Sequence, residues 1–290
     1  MKYTKILKHV PTFAFLALIT MLSCENSKKT ESSDDIAKKA VKKAFGVQVY
    51  SVKDSLKTDF TGSMKKIADM GYSYIEAYDL QHDGGIFKMS TAEYRKVVND
   101  LGMEIVSTHV DYFTPEKAQT IIQAAKELGL TYVIIPWLDE ELRVDYLAIS
   151  ENLNELGKIF KEAGLQLGYH NHDFEFELAN DGQVPLEIML QNTDPDLVTF
   201  QLDLYWVVKA GTDPMDLINR YPGRFSSFHV KDANDSLEQT TVGTGIIDFK
   251  TILAAQEVSG YTHYFVEDER EESPFENIKA DHEYVDQLEF

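Results

Sequence analysis

Residues 115–137 read "PEKAQTIIQAAKELGLTYVIIPW". In the first part Ala118, Ile121, Ile122, Ala125 and Leu128 recur at helical spacing on one face, which predicts an amphipathic helix. Gly129 follows at once, and glycine takes at least cost the left-handed conformation that closes a helix. A β-rich run, "LTYVIIPW", comes directly after it. The stretch therefore reads as one helix-to-strand unit of an alternating α/β chain.

The same order recurs in "MGYSYIEAY", "LGMEIVSTHV", "AGLQLGYHNH" and "SGYTHYFVED". With "FGVQVYSV", "VTFQLDLYWVV" and "FSSFHVKD" the chain offers β candidates at 45–52, 72–78, 103–110, 131–137, 165–172, 198–208, 225–232 and 263–269. Eight βα units in roughly 245 residues predict an α/β fold of one domain, a closed (β/α)8 TIM barrel. An open doubly wound sheet is the alternative. It is disfavoured because no glycine fingerprint follows the first strand and polar residues recur at most strand ends, not at one switch point.

The chain has 290 residues and 43% hydrophobic content, enough for a sizeable core. Its start, "MKYTKILKHVPTFAFLALITMLSC", has Lys2, Lys5 and Lys8, an apolar run over 13–22, then Ser23 and Cys24. That is a signal-peptide layout, with a run too short to span a bilayer comfortably. It resembles a bacterial lipobox, which implies residues 1–23 as a lipoprotein signal and Cys24 as the lipidated residue; an ordinary cleaved signal is the alternative. Residues 24–44 are polar and lysine-rich and read as a flexible tether, so the barrel is expected over 45–290. The expectation is an exported, membrane-anchored domain on the periplasmic side or cell surface. The single cysteine excludes an intrachain disulfide.

The net charge of −20 becomes −23 when residues 1–23 leave, since they carry three lysines and no acid. Such a surface excludes nucleic acid as a partner and favours a neutral small molecule over a strongly anionic one. A homo-oligomer is compatible with it.

In a barrel of this type, functional side chains sit at the C-terminal ends of strands. Those ends carry Glu76, His109, Trp137, His170, His172, Asp203, His229, Lys231 and Glu267, with Glu175 just beyond strand five. Alternation in "FQLDL" sends Phe200, Leu202 and Leu204 outward and leaves Gln201 and Asp203 inside. By the same parity His229 and Lys231 point inward, Glu267 groups with Phe265 and Glu269, and His170 shares a face with His172. Buried acids such as Asp203 and Glu267 need a cation or donors, and a divalent metal would meet that need. The rest of "EDEREESPFE" reads as a solvated loop.

"QLDLYWV", "FHVKD", "VGTGIIDFKTIL" and "FVEDE" together resemble the xylose-isomerase-like TIM barrels, which include sugar isomerases, ketose 3-epimerases and inosose dehydratases. The resemblance implies one divalent metal, Mn²⁺ first and Zn²⁺ or Fe²⁺ next, held by Asp203, His229 and Glu267. Where epimerase-like members have a strand-five Glu, this chain has His170 in "YHNH", as ligand or as base. It further implies Glu267, His170 and His109 as catalytic residues. His109, Trp137, His172, Glu175, Trp206 and Lys231 are expected to contact a sugar or glycoside, and Glu76 reads as a structural partner or a substrate contact. The implied activity is metal-dependent isomerisation or epimerisation of a keto-sugar or aldose through proton abstraction next to a carbonyl. β-Elimination of a 3-keto-glycoside outside the cytoplasm, by a lyase or hydrolase, is the alternative, and a non-catalytic sugar-binding protein is a further one.

Overall fold

Helix-closing glycines set the rhythm of the chain. In the computed structural model, which describes residues 44–78, 80, 87–179 and 182–290, the helix Pro115–Leu128 buries Ala118, Ile121, Ile122, Ala125 and Leu128. It ends at Gly129 with φ 83°, and Gly71, Gly102, Gly164 and Gly260 take the same left-handed turn ahead of their strands. The signal segment, Cys24 and the tether up to residue 43 lie outside the described residues.

Strands β1 (Gly46–Gln48), β2 (Tyr74–Ala77), β3 (Glu104–His109), β4 (Tyr132–Ile135), β5 (Gln166–His170), β6 (Val198–Asp203), β7 (Phe225–Val230) and β8 (His263–Val266) form a closed barrel. Every neighbouring pair is parallel, and β8 pairs back onto β1. Around it run α1 (Phe60–Met70), α2 (Thr91–Asp100), α3 (Pro115–Leu128), α4 (Tyr146–Glu162), α5 (Pro185–Asn192), α6 (Leu204–Lys209), α7 (Pro214–Arg220), α8 (Phe249–Ala254) and α9 (Pro274–Gln287). This is the predicted (β/α)8 barrel.

Outward-facing strand residues such as Val133, Phe200 and Leu202 join the helix side chains in the main core. The interior holds two layers. Tyr74, Val106, Tyr132, Ile134 and Phe265 form a separate apolar plug. Toward the C-terminal strand ends lies a polar layer in which Gln48, Glu76, Gln201, Asp203 and His229 are wholly buried. Register sets the neighbours in that layer: Gln48 beside Glu76, His170 beside Gln201, Asp203 beside His229.

Every strand ends before its candidate run does, and three of them by three residues or more. β1 gives way to a 3₁₀ turn over Val49–Val52, and β8 stops at Val266. β6 stops at Asp203, whose carboxylate accepts the Trp206 N–H at 3.0 Å and starts α6. This N-cap draws "LYWVVK" out of the sheet although its composition favours a strand. Trp206 consequently sits on a helix and not at a strand end.

Candidate active site

Glu76 lies at the centre of the polar layer. Its Oε1 is 2.6 Å from His229 Nε2 and 3.1 Å from His109 Nε2, and it accepts from Gln48 Nε2 at 2.9 Å. Its Oε2 accepts from Gln201 Nε2 at 2.8 Å. Burial opposes ionisation here, yet His109 and His229 hold the carboxyl well below the usual range. Glu76 is therefore a carboxylate saturated by wall residues. It is wholly buried and is not among the cavity-lining residues, so of its two expected roles, structural partner and substrate contact, the geometry favours the first.

An ionised Glu76 only accepts, so it fixes the amide of Gln201 with its NH₂ toward the acid. The Gln201 oxygen then faces His109 Nε2 at 2.9 Å and His170 Nδ1 at 3.1 Å. Both ring nitrogens must donate, which sets the tautomers. His170 carries its proton on Nδ1 and keeps the Nε2 lone pair; His109 carries it on Nε2 and keeps Nδ1. Burial holds the His170 pKa well below its ordinary value, so the ring is neutral. Sequence parity had placed Gln201 inside the barrel, but only the packing reveals this role.

His229 uses Nε2 on Glu76 and turns Nδ1 toward Glu267 Oε2, 3.1 Å away, and Asp203 Oδ2, 3.8 Å away. Asp203, His229 and Glu267 each offer a ligand atom, all within 4.8 Å of one another. Asp203 Oδ2 is buried without a hydrogen-bond partner. Burial pushes the Asp203 carboxyl up to about 7 against the pull of Lys231 and His229. Although burial disfavours its charge, His229 is pushed up to about 10 by Glu267 and Glu76, so an imidazolium balances these acids. An orphaned carboxylate oxygen, an imidazole backed by a carboxylate and a second carboxylate fit a divalent cation. His109, His170 and His229 also converge. Glu76 and Gln201 engage one nitrogen of each of these rings, and the group that carries carboxylates, which also offset a divalent charge, is the first metal candidate.

Lys231 is buried inside the barrel, with Nζ 3.3 Å from Glu267 Oε2 and in contact with Glu269 Oε2. Glu269, set aside in the sequence as part of a solvated loop, is thus a cavity residue. His172 borders the cavity, and burial followed by the Lys231 charge holds its pKa down to about 3. Trp137 stands at the rim, 43% exposed, its ring edge-on to His172 at 4.9 Å. Trp206 packs behind His172 at 5.2 Å and does not line the cavity. Glu175 is likewise corrected: it is wholly buried behind β5, accepting from Tyr169 Oη at 2.5 Å and from the His172 N–H at 2.8 Å. It positions His172 and cannot reach a substrate. Asn171, unremarked in the sequence, accepts the Asp203 N–H at 3.0 Å and braces the turn into α6.

A cavity of about 400 Å³ opens above this layer, bordered by His109, His170, His172, Glu267 and Glu269. A family model described as "Xylose isomerase-like TIM barrel" matches residues 64–289. An inosose dehydratase of Lacticaseibacillus casei is 29% identical over 162 residues, 48% of this chain and 53% of that protein. One from Geobacillus kaustophilus is 23% identical over 274 residues, 78% of this chain and 86% of the other. The first of these matches thus spans about half the length of the curated relative. A solved structure from Parabacteroides distasonis, described as a sugar phosphate isomerase/epimerase, is 29% identical with a TM-score of 0.74, covering 88% of this chain and 98% of that one.

Proposed function

From the premise that this chain belongs to the xylose isomerase-like TIM barrel family, we propose that it is a metal-dependent enzyme acting on a keto-sugar or keto-cyclitol. It removes a proton next to the carbonyl, and loss of a β-substituent completes the reaction. The observation that carries this reading is Asp203 Oδ2, buried without a hydrogen-bond partner and facing His229 and Glu267, beside the converging rings of His109 and His170. Asp203, His229 and Glu267 would hold the metal, with His170 Nε2 as the fourth donor. Mn²⁺ is the first choice, then Zn²⁺ or Fe²⁺, because nitrogen donors disfavour Mg²⁺. When bound, such an ion supplies Lewis-acid polarisation of the carbonyl, which acidifies the neighbouring C–H.

The remaining chemistry belongs to the chain's own side chains. His109 is a base of the histidine–carboxylate type: Glu76 and Gln201 take its Nε2–H and leave Nδ1 to accept the proton. Lys231, buried between Glu267 and Glu269, holds these two cavity acids in place and balances their charge from beneath. His172, neutral and borne by the loop after β5, serves substrate hydroxyls.

Elimination is favoured over re-protonation by an asymmetry. Epimerisation calls for an acid and a base on opposite faces of one carbon, and β5 carries a neutral histidine where a second carboxylate would serve. The names of the curated relatives, dehydratases, support the same branch. Isomerisation or epimerisation is the second reading, supported by the name given to the Parabacteroides structure. The proposal also sets the domain outside the cytoplasm, tethered through Cys24, on the N-terminal sequence alone.

The test is incubation of the Mn²⁺-loaded protein in D₂O with keto-sugars, aldoses and inososes. Elimination releases water or an alcohol and leaves an unsaturated ketone; re-protonation leaves deuterium in a rearranged sugar. Binding with neither exchange nor product would refute catalysis and favour the sugar-binding alternative.

A further inference from the structure

β8 stops at Val266, one residue before the candidate ligand Glu267. The last bond of its ladder runs from the Glu267 N–H to the Val230 carbonyl, 3.2 Å. Neither β7 nor β1 pairs with residues 267–269, yet Glu267 and Glu269 both border the cavity. Side chains take over the ladder on both flanks. Toward β7, Gln239 donates from Nε2 to the Glu267 carbonyl at 3.4 Å and accepts the Glu269 N–H on Oε1 at 3.2 Å. Toward β1, Ser51 Oγ accepts the Asp268 N–H at 3.0 Å and donates to the Gln48 carbonyl at 2.8 Å. Residues 267 and 269 bond to one side and 268 to the other, the alternation of an extended strand. One primary amide, with a donor and an acceptor on the same carbon, thus replaces a residue of a neighbouring strand. The extended backbone keeps the Glu267 and Glu269 carboxylates on one face, where Lys231 Nζ contacts both.

Gln239 is itself held in place. It lies on a short antiparallel hairpin in the loop after β7, Asp232–Ala233 against Gln239–Thr240. Asn234 closes the turn, its side-chain oxygen accepting from the N–H groups of Ser236 at 2.9 Å and Glu238 at 3.1 Å. The return of the loop is tied down by buried Asp232, whose Oδ2 accepts the N–H groups of Gly243 and Gly245, each at 2.9 Å. A Cβ on Gly245 would lie 2.1 Å from the Ala233 carbonyl oxygen, so this close approach requires glycine. The glycines of "VGTG", which the candidate metal group leaves unused, therefore fix the hairpin that carries Gln239. Arg270 joins Asp268 at 2.6 Å and Thr241 Oγ1 at 3.0 Å, a second link between the hairpin and the same segment.

Resting on the proposed metal site, we infer that Gln239 is a positioning residue: through the backbone of residues 267–269 it aims the Glu267 carboxylate at the metal and keeps the Glu269 carboxylate on Lys231. Loss of the amide leaves the Glu267 carbonyl and the Glu269 N–H without these partners, and the two carboxylates lose their defined direction.

Gln239→Met keeps the length of the side chain and removes both bonds. In the metal-free full chain, amide hydrogen exchange followed by NMR should quicken about tenfold at Glu269, the size of one hydrogen bond, and less at Asp268, which Ser51 holds. Ser51→Ala should reverse that order. Gln239→Glu, which keeps the acceptor and loses the donor, is the second variant and should retain protection at Glu269. In a Mn²⁺ titration Gln239→Met should weaken affinity about tenfold or more, the scale of a lost orienting partner. Ile121→Val, a buried change in α3, serves as the control for general destabilisation and should leave affinity nearly unchanged. Unchanged affinity in Gln239→Met, or an equal loss in Ile121→Val, overturns the inference while the metal site stands. Unchanged exchange at Glu269 in Gln239→Met overturns it as well. A wild-type chain that takes up neither Mn²⁺ nor Zn²⁺ refutes the proposed metal site, and exchange at Glu269 then decides by itself whether Gln239 holds the two acids.

Discussion

Glu76 and Gln201 show how much of the site is decided by residues that no ligand touches. One buried carboxylate takes the Nε2 side of His229 and His109, and through Gln201 the Nδ1 side of His170. Glu76→Gln removes the charge and keeps the shape, so metal affinity should fall about 10–100-fold, the usual cost of losing an orienting partner. Titration of the metal-free protein with Mn²⁺ or Zn²⁺ reads this, with circular dichroism to check the fold. A pH dependence follows from the same cluster. In the metal-free state burial raises the Asp203 carboxyl to about 7, while Glu267 and Glu76 overcome burial to raise His229 to about 10. Both must lose protons to become ligands, so affinity should rise with pH up to about 10, most steeply below about 7 where both are protonated. Calorimetry in buffers of different ionisation enthalpy should find proton release on metal uptake; uptake without protons would contradict the assignment of these two ligands.

The strands owe their precision to what fills the barrel beneath the polar layer. Gly46 in β1 leaves room for Tyr74 and Phe265: a Cβ there would lie 2.3 Å from Tyr74 Cδ2 and 2.8 Å from Phe265 Cδ1. Gly46→Ala should therefore overpack the plug and cost about 1–3 kcal/mol, seen as a lower urea midpoint. Because Gln48 follows two residues on and donates to Glu76, the same variant should also weaken metal binding. Element boundaries were legible where pattern and local chemistry agree. α3 has its apolar stripe, its proline start and its glycine stop, all within one stretch of sequence. The pattern overextends β6 because "LDLYWVV" is β-rich throughout, and the signal that ends the strand is the carboxylate of Asp203 capping α6. That hydrogen bond also aims the residue into the site, so one side chain both terminates the strand and places a ligand.

For the molecule as a whole, metal binding and folding should be linked. An ion bound to the native state alone raises stability by RT ln(1 + [L]/Kd), about 2.7 kcal/mol at a hundredfold excess over Kd. Thermal unfolding with and without Mn²⁺ should show the rise, and Asp203→Asn or Glu267→Gln should abolish it. At the N-terminus, Cys24→Ser should move the protein from the membrane fraction to soluble material; unchanged fractionation with no lipid by mass spectrometry would refute the anchor. What the sequence determined by itself is the alternation. Apolar periodicity and glycine stops are local properties, so the (β/α)8 barrel and the inward set Asp203, His229, Lys231 and Glu267 could be read residue by residue. Whether an inward side chain meets a substrate or a wall depends on partners far away in the chain. Glu76 meets Gln201 and His229, Glu175 meets Tyr169, and Trp206, carried on α6, packs on His172 and Lys231. Only closure of the ring brings β2 against the far strands, and that closure made Glu76 a buried hub and set the histidine tautomers.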